Sequence, residues 1–203
     1  MTMKNRKVKK GTYMIVSGLI LIVLALFIVF YNMNDDLRAG KSVSNILEDV
    51  HELNIKTSGI DYNICPDMEL PVVEIEGIEY CGTLYIPTYD LELPVIDKWS
   101  YPNLRIAPCR YTGTPYLKNM IIAAHNYKSH FGNLSHLVEG DEIIFKDMDG
   151  NEFKYSVLEV ELIEGSDVPY MIDGDWDLSL FTCNLSGQMR VTVRCREESK
   201  SLF

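Results

Sequence analysis

Apolar residues follow three different rhythms along this chain. From Tyr13 to Tyr31 the sequence YMIVSGLILIVLALFIVFY runs 19 residues without a charge. At about 1.5 Å of rise per residue, a helix of that length matches a hydrocarbon core about 30 Å thick, so a transmembrane helix is predicted. A buried helix of a soluble protein would normally show polar positions on one face. A cleaved signal peptide would have a shorter apolar run ending in small residues, whereas Phe27 to Tyr31 stays bulky to the exit. An uncleaved anchor is therefore expected.

The second rhythm places Val43, Ile46, Leu47, Val50 and Leu53 three to four residues apart, one apolar face of a short amphipathic helix, with Asn34-Asp35-Asp36 supplying capping side chains ahead of it. Tyr62 to Gly77 is acidic and carries Pro66 and Pro71, which favours loop or edge structure. The third rhythm consists of short runs rich in β-branched and aromatic residues. They are Thr83 to Ile86, Leu91 to Ile96, Met120 to Ala124, Glu142 to Lys146, Phe153 to Ile163, Leu178 to Cys183 and Arg190 to Cys195. Asp149-Gly150 between two of them is a hairpin signal. The other breaks are loops rather than crossover helices, so the outer part is expected to be all-β, a barrel or a sandwich.

Charge gives these segments an orientation. The first ten residues hold Lys4, Arg6, Lys7, Lys9 and Lys10 and no acid, while beyond Tyr31 the remaining 14 basic residues face 29 acidic ones, a net of −15. Basic residues flank the cytoplasmic side of a membrane helix, which places the N-terminus inside and everything after Asn32 outside. The expected organisation is a cytoplasmic basic segment (1–12), an anchor (13–31), an extracytoplasmic helix and linker (32–72) and a catalytic domain (73–203). A net charge of −10 for the whole chain argues against nucleic acid as a partner.

The candidate chemistry rests on few residues. None of Cys65, Cys81, Cys109, Cys183 and Cys195 forms a CxxC pair, so the zinc-ribbon and thioredoxin-like motifs are missing. Cys195 alternates with Val191 and Val193 on an apolar strand face and reads as a buried small hydrophobe. Cys183 instead ends an apolar run and enters the polar loop Asn184 to Met189, just before Arg190, where a thiol is reachable and has a cation nearby. Of the four histidines, His51, His130 and His136 read as solvated or structural, whereas His125 closes the strand Asn119 to Ala124 at a loop. His125, Cys183 and Arg190, each at a strand end, supply a proton carrier, a nucleophile and an oxyanion donor, the groups that acyl transfer needs.

Leu180-Phe181-Thr182-Cys183, seven residues before Arg190 and followed by Val191-Thr192-Val193-Arg194, resembles the LxTC…R signature of sortases. Gly82 to Pro87 with Leu91 to Val95 is similar to the early sortase strands. Asn119 to His125, with Phe131-Gly132-Asn133-Leu134 and Gly140 to Ile143, is similar to the histidine segment. The resemblance covers about Ile75 to Arg196. It implies a closed eight-stranded β-barrel with short helices and a cysteine transpeptidase. Its Cys183 thiolate attacks a peptide carbonyl in an LPxTG-like sorting motif of a surface protein, and a cell-wall or pilin amine resolves the thioacyl enzyme. By the same resemblance His125 is the acid–base, Arg190 binds the carbonyl or oxyanion, and Thr182 assists substrate positioning. Arg194 shares the Arg190 face, as either an alternative to it or a surface charge.

The short segment Glu164 to Asp177 and the lack of a second apolar segment after Cys195 favour class A or D over class B or the pilin-type class C. No cofactor is expected; the acidic loops could hold calcium, but the spaced EF-hand pattern is absent. Disulfides among Cys65, Cys81, Cys109 and Cys195 are allowed outside the membrane, in three possible full pairings. Two other roles stay open: a surface binding module that has lost turnover, and a cysteine peptidase that hydrolyses its thioacyl intermediate.

Overall fold

A computed structural model describes residues 3–53, 66–184 and 186–198. The chain forms two compact units, Met1–Arg38 and Ala39–Phe203. The first is helical throughout its described residues and belongs to α1 (Met3–Glu52). Its large apolar side chains from Tyr13 to Met33 are exposed, and the helix is long and apolar enough to cross a membrane. The expected break after the anchor does not occur. Asn34, Asp35 and Asp36, read as caps, lie inside α1: Asn34 Nδ2 donates back to the Phe30 carbonyl at 3.1 Å, and Arg38 pairs with Asp35 at 2.7 Å. With no Gly or Pro at this point, these side chains are satisfied one helical turn away and leave the helix unbroken.

The second unit is a β-barrel with the last three turns of α1 docked on it. Ala39, Val43, Ile46 and Val50 are buried, Leu47 is partly buried, and Leu53, expected on the same face, is 49% exposed beyond the helix end. The strands are β1 (Val73–Ile75), β2 (Ile78–Ile86), β3 (Leu91–Ile96), β4 (Cys109–Thr112), β5 (Met120–Ala123), β6 (Glu142–Asp147), β7 (Glu152–Glu164), β8 (Leu178–Cys183) and β9 (Met189–Glu197). Their order is β1-β2-β3-β4-β5-β8-β9-β7-β6, and β6 also pairs with β2. That last pairing closes β2 to β9 into an eight-stranded barrel, with β1 as an appended edge. Two short helices, α2 (Tyr101–Leu104) and α3 (Val168–Ile172), interrupt the strands.

The Asp-Gly signal marks the β6–β7 hairpin. Asp147 Oδ1 accepts from the backbone N–H of Asp149 and Asn151 at 2.9 and 2.8 Å, and Gly150 takes a φ of 81°. The dipeptide supplies the left-handed glycine, while the Asx side chain that closes the turn is that of Asp147, two residues before Asp149. β4 was not foreseen. It is short, it bulges between Arg110 and Thr112, and its middle residue is a cation paired with Asp97 through Nη2 at 2.6 Å, so it lacks an alternating apolar run.

Two pairings position the chemistry. β5 and β8 run parallel, with Met120 opposite Leu178 and Ala123 opposite Phe181, so both strands deliver their C-terminal ends to the same rim of the barrel. β8 and β9 are antiparallel, with Cys183 opposite Arg190.

Candidate active site

At that rim the Ala124 N–H still donates to the Phe181 carbonyl at 3.1 Å. The same register carried one residue further sets His125 beside Cys183. Directly opposed residues of an antiparallel pair hold their Cβ atoms about 4.5–5.5 Å apart, which brings Arg190 against Cys183 from the other side. His125, Cys183 and Arg190 line one groove of about 230 Å³. The structure thus brings together the three residues singled out from the sequence.

The groove has walls that the strand pattern left out. On one side stand Tyr101, Trp99, Tyr111 and Phe181, whose rings in that order follow one another edge to face at 5.2, 5.7 and 5.5 Å between centroids. On the other stand Glu164, Gly165, Asp167, Val168 and Met171. Phe181 was readable: in a strand, residues two apart share a face, so it points where Cys183 points. The Trp99 to Tyr101 segment gave no strand rhythm and joins the wall through tertiary contact alone.

Backbone close to Arg190 holds it in place. Its Nη1 donates to the Gly187 carbonyl at 3.0 Å and to the Met189 carbonyl at 3.4 Å. A Cβ on Gly165 would come within 2.9 Å of the Gln188 carbonyl oxygen and 3.0 Å of Arg190 Nη1, so only glycine allows this approach. Among the described residues the Arg190 guanidinium has no carboxylate partner, and its hydrogen bonds run through Nη1. Nε and Nη2 make no hydrogen bond among the described residues and can donate to an anionic acceptor.

The same alternation separates the remaining candidates. Thr182 lies on the opposite strand face from Cys183. It is 2% exposed, its hydroxyl has no hydrogen-bond partner among the described residues, and it lines a second cavity with Phe131, His136 and Asn184. The structure therefore does not place it in the groove that holds Cys183. Arg194 shares the Arg190 face as expected, yet it is neither a surface charge nor a groove residue. It is 1% exposed and donates to Glu161 Oε1 at 2.8 Å, Ser179 Oγ at 2.9 Å, the Met171 carbonyl at 3.0 Å and the Tyr170 carbonyl at 2.8 Å. A guanidinium so occupied is a structural group.

The other cysteines differ from Cys183 in burial. Cys81, Cys109 and Cys195 are buried, and among the described residues all four cysteines are unbridged; Cys65 lies outside the described residues. Burial pushes the Cys109 thiol up to about 12, and raises Cys81 and Cys195 as well. These three remain protonated at neutral pH and are poor nucleophiles. Cys183 is only partly buried and opens on the groove. His125 is also partly exposed, while His130 is 1% exposed and His51 pairs with Glu92 at 3.2 Å. Among the described residues no three His, Cys, Asp or Glu side chains are grouped to hold a metal ion.

A closed barrel that gathers a thiol, an imidazole and a guanidinium at one rim has the groups of a thiol acyl-transfer enzyme. A family model described as the sortase domain matches residues 84–198, more than half of the chain, and the chain belongs to the sortase family. No curated protein sequence matches it. Among solved structures it is similar to a lid mutant of sortase A from Corynebacterium diphtheriae, with 22% identity and a TM-score of 0.54 over 60% of this chain and 72% of that one. Sortase C of Streptococcus pneumoniae is similar at 22% identity and a TM-score of 0.55, over 73% and 77% of the two chains. The sortase D5 transpeptidase of Clostridium perfringens is similar at 17% and 0.56, over 79% and 98%. These likenesses show a shared fold and do not order the classes A, C and D.

Proposed function

We propose that this sortase is a membrane-anchored cysteine transpeptidase acting outside the cell, with Cys183 as nucleophile, His125 as acid–base and Arg190 as oxyanion donor. The observation that carries the reading is the convergence of these three side chains on one groove, through the parallel β5–β8 register and the Cys183–Arg190 ladder pair. Cys183 adds as the thiolate, with the proton on His125, to a peptide carbonyl of a sorting motif, and the charge that builds on the carbonyl oxygen is met by the guanidinium. As the C–N bond breaks, His125 delivers a proton to the leaving amine, and a thioester remains on Cys183. An incoming amine from a cell-wall precursor or a pilin subunit then loses a proton to His125, attacks the thioester and leaves as the amide. All three groups are side chains of this chain, so the reaction as written calls on no cofactor and no calcium. The basic N-terminal segment, the apolar helix and the acidic remainder support a cytoplasmic N-terminus and a barrel outside the membrane.

The test is intact-mass analysis of the full chain in detergent with LPxTG-like and NPxTN-like peptides, with Cys183→Ala as control. The expected result is a mass gain equal to the acyl fragment, absent from Cys183→Ala, and released as an amide when an amine is added. An adduct released only as the free acid, whatever amine is offered, would make the chain a peptidase. Absence of any adduct on folded protein with reduced Cys183 would point to a binding module.

A further inference from the structure

The docked end of α1 touches more than strands. Gly40 lies beside Ala39, the first fully buried residue of the docking face. Its neighbour across the contact is Ser129, in the loop that follows His125: a Cβ built on Gly40 would sit 3.2 Å from Ser129 Cβ and 3.7 Å from its Oγ. Glycine inside a helix costs about 0.5–1 kcal/mol relative to alanine, so a contact that leaves so little room for a side chain gives the residue a reason to be there.

From Ser129 the loop leads back to His125 through packed groups. His130, next in sequence, is 1% exposed. Its ring lies 5.3 Å from that of Tyr127, which lies 5.1 Å from that of His125. The backbone ties the same residues together. His130 N and Gly132 N both donate to the Tyr127 carbonyl, at 3.0 and 2.8 Å, and Phe131 N donates to the His125 carbonyl at 3.3 Å. A Cβ on Gly132 would fall 2.7 Å from the Tyr127 oxygen. The loop from His125 to Gly132 is thus one tightly packed piece, with the imidazole at one end and the helix contact near the other. Close-packed pieces shift as units rather than absorb a displacement locally.

We propose that Gly40 is a positioning residue: through Ser129 the docked end of α1 sets the His125 loop, and with it the place of the imidazole beside Cys183. The proposal rests on the reading of His125 as the acid–base. Misplacing a reacting group by about 1 Å can cost about 10²-fold in rate. The effect should fall on the step in which His125 moves a proton, and spare binding of the peptide.

The experiment uses the full chain in detergent and compares wild type, Gly40→Leu, Ser129→Gly and the double variant. Each is offered a sorting peptide with an ordinary amide bond and the same sequence as an activated ester, whose leaving group needs no proton. Gly40→Leu should slow acylation by the amide about 10- to 100-fold, with KM within about twofold, and leave acylation by the ester, read as the single-turnover mass gain on Cys183 before any amine is added, little changed. Ser129→Gly in the double variant should restore most of the loss by making room. If Gly40→Leu does not fold, Ser129→Leu crowds the same contact from the barrel side and must give the same amide-selective loss. An equal loss on amide and ester, no loss in a folded variant, or no rescue in the double variant would overturn the proposal. His125→Ala separates this from the parent reading. If it keeps full amide turnover, the acid–base assignment falls; if it loses turnover while Gly40→Leu does not, only the role of Gly40 falls.

Discussion

Arg190 and Arg194 occupy the same face of the same strand, four residues apart, and each stands opposite a β8 side chain, Cys183 and Ser179 respectively. At the Arg194 end, α3 and β7 cover the face. Four oxygens accept from the guanidinium, and the rings of Tyr170 and Trp176 lie 5.8 and 5.7 Å from its carbon. At the Arg190 end the same face opens into the groove, and among the described residues only the Gly187 and Met189 carbonyls accept from Nη1. Residue type and strand phase are identical, so neither decides the role. What decides it is whether neighbouring elements saturate the cation's donors or leave them turned toward a place where charge can develop.

The largest expected effect tests the closed end. Arg194→Ala removes a cation at 1% exposure and leaves Glu161, Ser179 and two carbonyls without their donor. Breaking a buried pair on one side costs about 3–5 kcal/mol, so chemical unfolding should show a loss of that order. Should Arg194→Ala match wild type in stability while losing turnover, the two arginines would have to exchange roles. The open end is probed by Arg190→Ala, which should lower kcat/KM by about 10²–10³-fold, the loss typical of an oxyanion donor, with little change in the unfolding midpoint. Arg190→Lys should recover only part of it, since an ammonium lacks the forked donors.

Between the two ends, the sequence was legible wherever a local rhythm and the final neighbour agreed. Leu178 to Thr182 is an apolar run that stops at a polar loop and Arg190 to Cys195 alternates cleanly, so the rim position of Cys183 and the buried Cys195 could be read before any contact was known. The parallel partner of β8 could not, because β5 and β8 are separated by two other strands, and only the sheet order brings His125 to Cys183. Arg194 was misread for a related reason. Its burial comes from α3, a five-residue helix that α-periodicity is too short to reveal, capped by Asp167 on Tyr170 N at 3.2 Å. The helix that continues through Asn34 to Asp36 was misread because Asn and Asp satisfy helix interiors and helix ends with the same side chains; the choice depended on the absence of Gly and Pro between Tyr31 and Ala39.

Thiols extend the contrast from cations to nucleophiles. Cys195 sits opposite Leu178 at the closed end, on the core face. In the folded chain, alkylation at neutral pH followed by peptide mapping should label Cys183 and spare Cys81, Cys109 and Cys195. Alkali should reverse that protection. Because burial raises the folded Cys109 value from 9.0 to about 12, the unfolded chain gives up the proton first. Stability is therefore intact below pH 9.0 and falls as pH rises toward about 12, by about 1.4 kcal/mol per pH unit from this thiol. Unfolding midpoints over that range should fall less steeply in Cys109→Ala. An unchanged slope would mean that the thiol is hydrated.

The smallest effect belongs to Thr182, and it bears on the same principle from the opposite direction. Arg194 is buried with every guanidinium nitrogen engaged, whereas the Thr182 hydroxyl is buried with no partner among the described residues. Losing a buried group is costly when partners are stranded by it; losing one that has none removes only an uncompensated desolvation. Thr182→Val keeps the branched shape and should therefore change the unfolding free energy by no more than about 1 kcal/mol, in the stabilising direction. A destabilisation comparable to that of Arg194→Ala would show that the hydroxyl is satisfied through the cavity it lines with His136 and Asn184. In that case an ordered water there would join the loop after Cys183 to the loop after His125, and Thr182 would act on the site through that water rather than from within the groove.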